Sequence, residues 1–494
     1  MTLPHRVLAR TLLAAFACAL CVPLSVDAQA SNAPVTAPTP APMPTISGTP
    51  MPYPAYGSPA PDVAAQKQRP GIPVQVTLNQ AIDIAVAQSP EFATQRAQYR
   101  VIAAKYAAEK SALLPNISAQ GSVRRDYGGN GSSGSSPSPS SSPGVNGNGA
   151  YTTTLSGSIS LTQLIFDGGQ TIAGIRSAKE ADFAGKDTLL RQLQQLAFNV
   201  ATDYYALLED NASVQSDNAL VREFETNENY VTAQIRTGAA ARSDLAAAQF
   251  QTAQARGALV TAQGQAIAAQ ATFASALGLD ADTAITPKLL ERSPPQVKAL
   301  SYAQALKEAF TLRPDFLAAE HTVESDKEGL RFAKLARFPS IVANASAGSS
   351  REQVPGYQTP FVSTQSIGAT LNVPIFDQGQ TNFNVASAAA QLDEASYALT
   401  AARLQVQSDV RGGLANLISA RATLVQAQAE VASATVSLQA TQAQYRVGAS
   451  TITAIVTAEA NLASAEKDYV AALYGERLAE QQYDFALGAS DLTL

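Results

Sequence analysis

The chain has 494 residues, a net charge of −6 from 34 Lys+Arg against 40 Asp+Glu, and only 15% charged residues, well below the roughly 25% of an ordinary soluble domain. Apolar residues reach 46% with no Trp and 6% aromatics, so Ala, Ser, Thr and Gln fill the deficit. A net acidic chain without a Lys/Arg block is a poor nucleic-acid binder, and an Ala-heavy, aromatic-poor mix points to long, closely packed helices.

Arg6 and Arg10 precede an apolar run, Thr11 to Val22, that is too short to span a bilayer, and Ala28-Gln29-Ala30 fits an A-x-A cleavage site. Residues 1–30 therefore read as a secretory signal peptide. Cys18 and Cys21, the two cysteines of the chain, both lie inside it. The mature chain is thus expected to have no disulfide, no thiolate catalysis and no Cys-ligated metal. A rival reading makes Cys18 a lipidated N-terminus after Ala15-Phe16-Ala17, with Ala15 where Leu is usual. Residues 31–75, rich in Pro, Ala and Thr, read as an extended tether.

The remainder is a tandem repeat. Thr77-Leu78-Asn79-Gln80-Ala81-Ile82 and Pro90-Glu91-Phe92 return 224 residues later as Ser301-Tyr302-Ala303-Gln304-Ala305-Leu306 and Pro314-Asp315-Phe316. Leu114-Pro115-Asn116-Ile117 matches Phe338-Pro339-Ser340-Ile341 at the same offset. Ile165-Phe166-Asp167-Gly168-Gly169-Gln170 then returns as Ile375-Phe376-Asp377-Gln378-Gly379-Gln380, now 210 residues later. Ala233 to Ala239 returns likewise as Ala443 to Ala449, and Leu277-Gly278 as Leu487-Gly488. The change of offset falls in the Gly/Ser/Pro/Asn tract Gly128 to Ala150, a composition that cannot bury a core and reads as a solvated loop. The organisation is therefore a first repeat over 76–278, a connector over 279–299 containing Pro287, Pro294 and Pro295, a second repeat over 300–488, and a short tail over 489–494.

Each half reads helix, strand, loop, strand, long helix, turn, helix. Gln170 to Arg236 and Gln380 to Arg446 lack proline and are rich in Ala, Leu and Gln; each would extend about 100 Å as one helix, which requires a coiled-coil-like bundle. The strands, expected near 116–127, 151–164, 340–350 and 361–374, alternate apolar with small polar residues, for example Ile117, Ala119, Gly121 and Val123 against Ser118, Gln120 and Ser122. Such alternation over about ten residues is the pattern of an outer-membrane barrel strand, although the core strands of a soluble sandwich would alternate too. Tyr127, Tyr151, Tyr357 and Phe361 beside the loops, and Phe166, Phe338 and Phe376 beside the helices, fit two interfacial girdles. Four strands cannot close a barrel, and open edges are not tolerated in lipid, so the membrane reading requires several copies to share one barrel. Pattern alone does not choose between eight strands and twelve.

No catalytic constellation emerges. His321 is the one histidine outside the tract before residue 30, and it has no ligand partner at i+4. Nucleophile-elbow, zinc-protease, phosphate-loop and dinucleotide motifs are missing from suitable contexts, so neither an enzyme, a metal nor a cofactor is expected.

The duplicated strand–long helix layout, the paired Ile-Phe-Asp-x-Gly-Gln motifs and the paired Gly-Ala turns resemble the TolC-like outer-membrane efflux channels over about residues 76–488. The resemblance implies an α+β membrane protein: a homotrimer with a twelve-stranded outer-membrane β-barrel, continued by a long periplasmic α-helical barrel. It also implies the exit channel of a tripartite export system, with a periplasmic adaptor and an inner-membrane pump as partners, outer-membrane lipid around it and a large periplasmic portion. Small toxic compounds are the expected cargo. A type I protein-secretion channel shares the architecture, and a secreted structural coiled coil with a soluble head is the alternative from another class.

Carried over residue by residue, the resemblance places adaptor-contact tips at Thr237, Gly238 and Ala239 and at Val447, Gly448 and Ala449. It places a periplasmic gate at Asp244, Tyr445, Ser450, Ala454 and Thr457. Ser450 stands where Arg is frequent in the family, and Ala454 and Thr457 where aspartate rings are usual. An electrostatic gate would then fall to Arg236, Arg242, Arg446 and Glu459, which form either a charged latch or solvated turn charges.

Overall fold

The structure, a computed structural model, describes residues 75–127, 151–238, 241–288, 300–354, 357–447 and 449–489. The signal peptide, nearly all of the tether, the 128–150 tract, 289–299 of the connector, Ala239, Gly448 and the tail from 490 lie outside the described residues. The first repeat runs β1 (Gln75–Val76), α1 (Leu78–Gln88), α2 (Pro90–Ser111), β2 (Asn116–Tyr127), β3 (Tyr151–Phe166), α3 (Gln170–Arg236) and α4 (Arg242–Ala276). After β4 (Thr286–Pro287) the second runs α5 (Tyr302–Leu312), α6 (Pro314–Leu335), β5 (Ser340–Val354), β6 (Tyr357–Gln358), β7 (Val362–Asn372), α7 (Gln380–Arg446) and α8 (Ile452–Leu487).

Four long strands form one antiparallel ribbon in the order β2-β3-β5-β7, with the short β6 on the end of β5. The register sorts the alternating sequence into two faces. Ser118, Ser160, Ser346 and Ser366 lie in one row across all four strands. Hydroxyl pairs join Ser118 to Ser160 at 2.7 Å, Ser122 to Ser156 at 2.7 Å and Ser346 to Ser366 at 2.8 Å. The neighbouring row, on the opposite face, is Ile117, Leu161, Ala345 and Ile367. The outer edges of β2 and β7 pair with no other described strand.

Below the ribbon, α3 and α7 run 67 residues each. The first half of α3 carries α2, through Phe92 against Leu189 and Leu193; its second half carries α4, through Val221 and Phe224 against Ala255. On the other flank, α6 and then α8 lie between α3 and α7: Ser325 bonds Ser177, while Arg421 of α7 bonds Glu480 at 2.9 Å. The wall is thus four columns wide, in the order α2/α4, α3, α6/α8, α7. Around its middle, α1 and the parallel β1–β4 pair close over Tyr204, Leu207 and Phe273, and α5 closes over Val406, Val410, Leu417 and Tyr483.

The repeated Ile-Phe-Asp-x-Gly-Gln motif is the corner where strand becomes long helix. Asp167 accepts backbone N–H bonds from Gly169 at 2.9 Å and Thr171 at 2.6 Å, and Asp377 does the same for Gly379 at 3.1 Å and Thr381 at 2.7 Å. Each carboxylate therefore satisfies donors that the first helical turn leaves unpaired. Against burial, which raises it, these bonds hold the Asp167 carboxyl below its ordinary value. Gly168 must be glycine: its φ is +68°, and a Cβ there would lie 2.5 Å from the Phe338 Cβ.

Candidate functional site

The α3–α4 and α7–α8 turns, at the far end of the helices from the ribbon, carry the residues singled out in the sequence. Thr237 closes α3, its Oγ1 donating to the Gln234 carbonyl at 2.9 Å, and Gly238 reverses the chain with φ +77° and open space around its Cα. Asp244 sits in the first turn of α4 and accepts from the Ala241 N–H at 3.1 Å, a role in starting the helix. On the second turn, Val447 is 79% exposed, Ala449 donates its N–H to the Gln444 carbonyl at 2.9 Å, and Ser450 is half-buried. Ala454 donates its N–H to Thr451 Oγ1, and Thr457 bonds back to the Thr453 carbonyl, both ordinary events at the start of α8.

Tyr445 links the two turns. Its hydroxyl donates to Gln234 Oε1 of α3 at 3.2 Å and its ring meets Tyr230 edge-on at 6.4 Å. Gln234 and Tyr230 are not among the expected gate residues; in the sequence they stand one helical turn apart on α3. Asp244 and Tyr445 are not brought together within the chain. Arg236 and Arg242 are exposed, and nothing is described of the Arg446 side chain.

Glu459 is placed differently from its neighbours in sequence. It is 6% exposed, one carboxylate oxygen has no hydrogen-bond partner, and the nearest influential charge is another carboxylate, Glu223 of α3. Burial, and after it the charge of Glu223, pushes the Glu459 carboxyl up to about 7. Glu223 is itself raised by burial and by Glu466. This is carboxylate facing carboxylate between α3 and α8, an arrangement that favours the protonated form.

A second cluster sits at the equator. Arg313, 1% exposed, donates to Asp315 at 2.6 and 3.0 Å, to Asp409 of α7 at 2.9 Å and to the Ala486 carbonyl of α8 at 3.3 Å. Arg191 of α3 lies over the Phe485 ring, 3.7 Å from its centre, and donates to the Phe485 carbonyl at 3.0 Å. Against burial, which raises it, Arg313 and Arg191 hold the Asp315 carboxyl below its ordinary value. The cluster ties α3, α6, α7 and α8 where both repeats meet. His321 is held by Glu180 at 2.9 Å, and no described group of His, Cys, Asp and Glu residues could hold a metal ion. Among the described residues no helix is long and apolar enough to cross a membrane.

The comparisons agree with this geometry. A family model described as outer membrane efflux protein matches residues 81–279 and 305–489. The chain is 27% identical over 334 residues to the outer membrane efflux protein BepC of Brucella suis, covering 66% of this chain and 71% of the relative. It is 26% identical over 356 residues to the outer membrane protein TolC of Escherichia coli, covering 69% and 71%. Among solved structures, a membrane protein from Pseudomonas aeruginosa superposes with a TM-score of 0.70 at 19% identity, over 84% of this chain and 94% of that one. The open state of the MtrE outer membrane channel of Neisseria gonorrhoeae does so with 0.66 at 19% identity, over 83% and 88%.

Proposed function

The chain belongs to the outer membrane efflux protein family and is an outer-membrane efflux channel; we propose that it works as a homotrimer that receives small toxic compounds from an inner-membrane pump through a periplasmic adaptor. The observation that carries the oligomer is the ribbon. Its apolar face includes Ile117 and Ile367, both bare of protein, and its two outer edges are open. In lipid every backbone group needs a partner, so β7 of one copy must pair with β2 of the next. Three copies give a twelve-stranded ring with the serine rows inward. The helical columns close the same way, α7 of one copy against α2/α4 of the next, into a duct about 100 Å deep.

The duct moves solute by offering a continuous aqueous path and invokes no catalytic step. The tips form its entrance, and Tyr445 with Gln234 holds the two turns together. An adaptor opens the entrance to the extent that it binds the splayed tips better than the closed ones. Gly238, with its positive φ and free surroundings, suits a turn that another protein grips.

The test is the absolute mass of the mature protein in detergent, by light scattering with the micelle subtracted. Three chains per particle is the expected result; a monomer soluble without detergent would overturn the shared barrel and the duct together. For the tips, Gly238→Val should weaken adaptor binding and export in cells while leaving the trimer intact, and unchanged drug resistance would remove the adaptor assignment.

A further inference from the structure

The membrane section is almost free of charge. Between Asn116 and Phe166 the charged residues are Arg124, Arg125 and Asp126, and between Ser340 and Phe376 they are Arg351 and Glu352. All five fall at the loop end of the ribbon, away from the helices, which in an outer-membrane channel with a periplasmic helical part is the outer-leaflet end. The pleat then divides them between the two faces, with both carboxylates on one. Arg124, Asp126 and Glu352 share the face of the serine rows, where Arg124 and Asp126 pair at 2.7 Å. Arg125 and Arg351 share the opposite face, in line with Ile117, Ala119 and Val123 on β2 and with Ile341, Ala343, Ala345 and Ala347 on β5.

That outward face therefore changes, toward the outside of the cell, from aliphatic to aromatic and cationic. Arg125 lies over the Tyr151 ring, 4.4 Å from its centre, and Tyr151 meets Tyr127 at 6.1 Å. Arg351 lies over the Phe361 ring at 4.8 Å. Each hairpin thus builds the same unit, a guanidinium over a ring from the adjoining strand or its lead-in, a planar group with five N–H donors to offer an acceptor. The one described side-chain acceptor is Thr153 Oγ1, 3.0 Å from Arg125 Nε. No described carboxylate lies within ion-pair distance of either guanidinium, and the loop segments 128–150 and 355–361 contain no charged residue at all. The chain cannot neutralise these two cations from its own rim.

We propose that Arg125 and Arg351 form a binding site for the phosphate groups of an anionic glycolipid in the outer leaflet, repeated around the barrel once per copy. A cation on the lipid-facing surface near the headgroup level is costly unless it meets an anion there, and guanidinium matches phosphate in paired N–H···O geometry. The two arginines are separated by two inter-strand spacings and two residues along the strand, about 12 Å between backbones, which suits a headgroup carrying two phosphates better than one. The inference rests on the outward orientation of the apolar face, and so on the shared-barrel reading above.

The experiment is native mass spectrometry of the trimer in detergent, titrated with lipid A bearing two, one or no phosphates. Wild-type protein should lose affinity at least tenfold when both phosphates are removed, since each charge-assisted contact is worth about a factor of ten or more. The double variant R125Q/R351Q should bind the bis-phosphorylated lipid no better than wild type binds the dephosphorylated one, while R124Q, on the lumenal face, should bind as wild type. Equal binding by R125Q/R351Q and wild type, an equal loss in R124Q, or indifference of wild type to phosphate removal would each overturn the site. If the double variant does not assemble, the wild-type phosphate series decides alone. Particle mass and single-channel conductance, read on the same samples, keep failure of the lipid site distinct from failure of the channel.

Discussion

The two long helices begin on the same motif, have the same length and end in similar turns, yet their surroundings differ. α3 is flanked on one side by α2 and α4 and on the other by α6 and α8, whereas α7 has α6 and α8 on one side and, apart from α5 at the equator, nothing described on the other. The bare side of α7 is not polar. Phe383, Tyr397, Leu404, Ile418 and Val425 are all exposed there, at intervals of seven or fourteen residues. A seven-residue apolar repeat is the seam of a coiled coil, and an exposed seam of this length is the kind of surface that marks an interaction site. The repeat with its partners inside the chain shows what the other lacks, a neighbour that in the proposed ring a second copy would supply.

The sharpest way to break that comparison is to charge the seam. Leu404→Glu with Val425→Glu should abolish the assembled particle, read as loss of the trimer mass by light scattering. Survival of the trimer would mean that α7 closes on something other than its neighbour's helices.

Next in size is a position where the two repeats use different chemistry. Ser89, before Pro90, caps α2 by accepting from the Phe92 N–H at 3.4 Å, while its counterpart Arg313, before Pro314, is the centre of the equatorial ion cluster. Arg313→Met leaves Asp315 and Asp409 without their buried partner and should cost about 3 kcal/mol; Ser89→Ala should cost about 1 kcal/mol. Thermal melting of the assembled particle should rank the two in that order, and equal effects would mean that the cluster is a surface-like pair.

How much of this could be read from sequence follows from what is periodic and what is not. The long helices were legible because proline is missing and the motifs at both ends recur. The strands were legible from alternation, but their ends were not: β3 continues to Phe166 and β5 to Val354, while β7 spans only Val362–Asn372. Strand ends depend on pairing partners, which alternation does not carry. The tip turns were located by internal repetition. Their contacts were not, because Tyr445 meets Gln234 across a separation of 211 residues. In sequence Glu459 reads either as part of a charged latch or as a solvated turn charge; only the packing of α8 on α3 sets it against Glu223. Arg313 was hidden for a similar reason, since its acceptors come from α6, α7 and α8.

A smaller effect concerns pH and separates the α3–α8 seam from the rest of the wall. Glu459 has its folded value raised from 4.5 to about 7, so the folded seam holds the proton more tightly than the unfolded chain. The packing is therefore unpenalised below about pH 4.5, weakens as pH rises toward 7, and stays weakened above it. Glu223, Glu209 and Asp210, raised mainly by burial, act in the same direction. Glu459→Gln should flatten the fall in melting temperature between pH 4.5 and 8 and raise the value at pH 8. An unchanged slope would mean that Glu459 reaches water or a cation in the assembled duct.

The smallest expected effect tests the strand-to-helix corners. Gln378 occupies the position of Gly168 with φ +58°, the one described non-glycine residue in that region of backbone space, at a cost of about 1 kcal/mol. Gly168 has Phe338 against it because β5 lies beside β3. Gln378 follows β7, the open edge of the ribbon, so in a ring its facing residue is Leu114 of the next copy, the repeat counterpart of Phe338. Within the chain β7 has no described strand on that side, so nothing described excludes a side chain at Gln378 as the Phe338 Cβ and Cγ do at Gly168. Gln378→Gly should therefore stabilise the particle by about 1 kcal/mol from backbone relief alone, while Gly168→Ala should destabilise it by about 2 kcal/mol through overlap with Phe338. Both are read by thermal melting. A loss of stability in Gln378→Gly would mean that the glutamine side chain is itself a contact between copies, and the strained corner would then be part of how the ring closes.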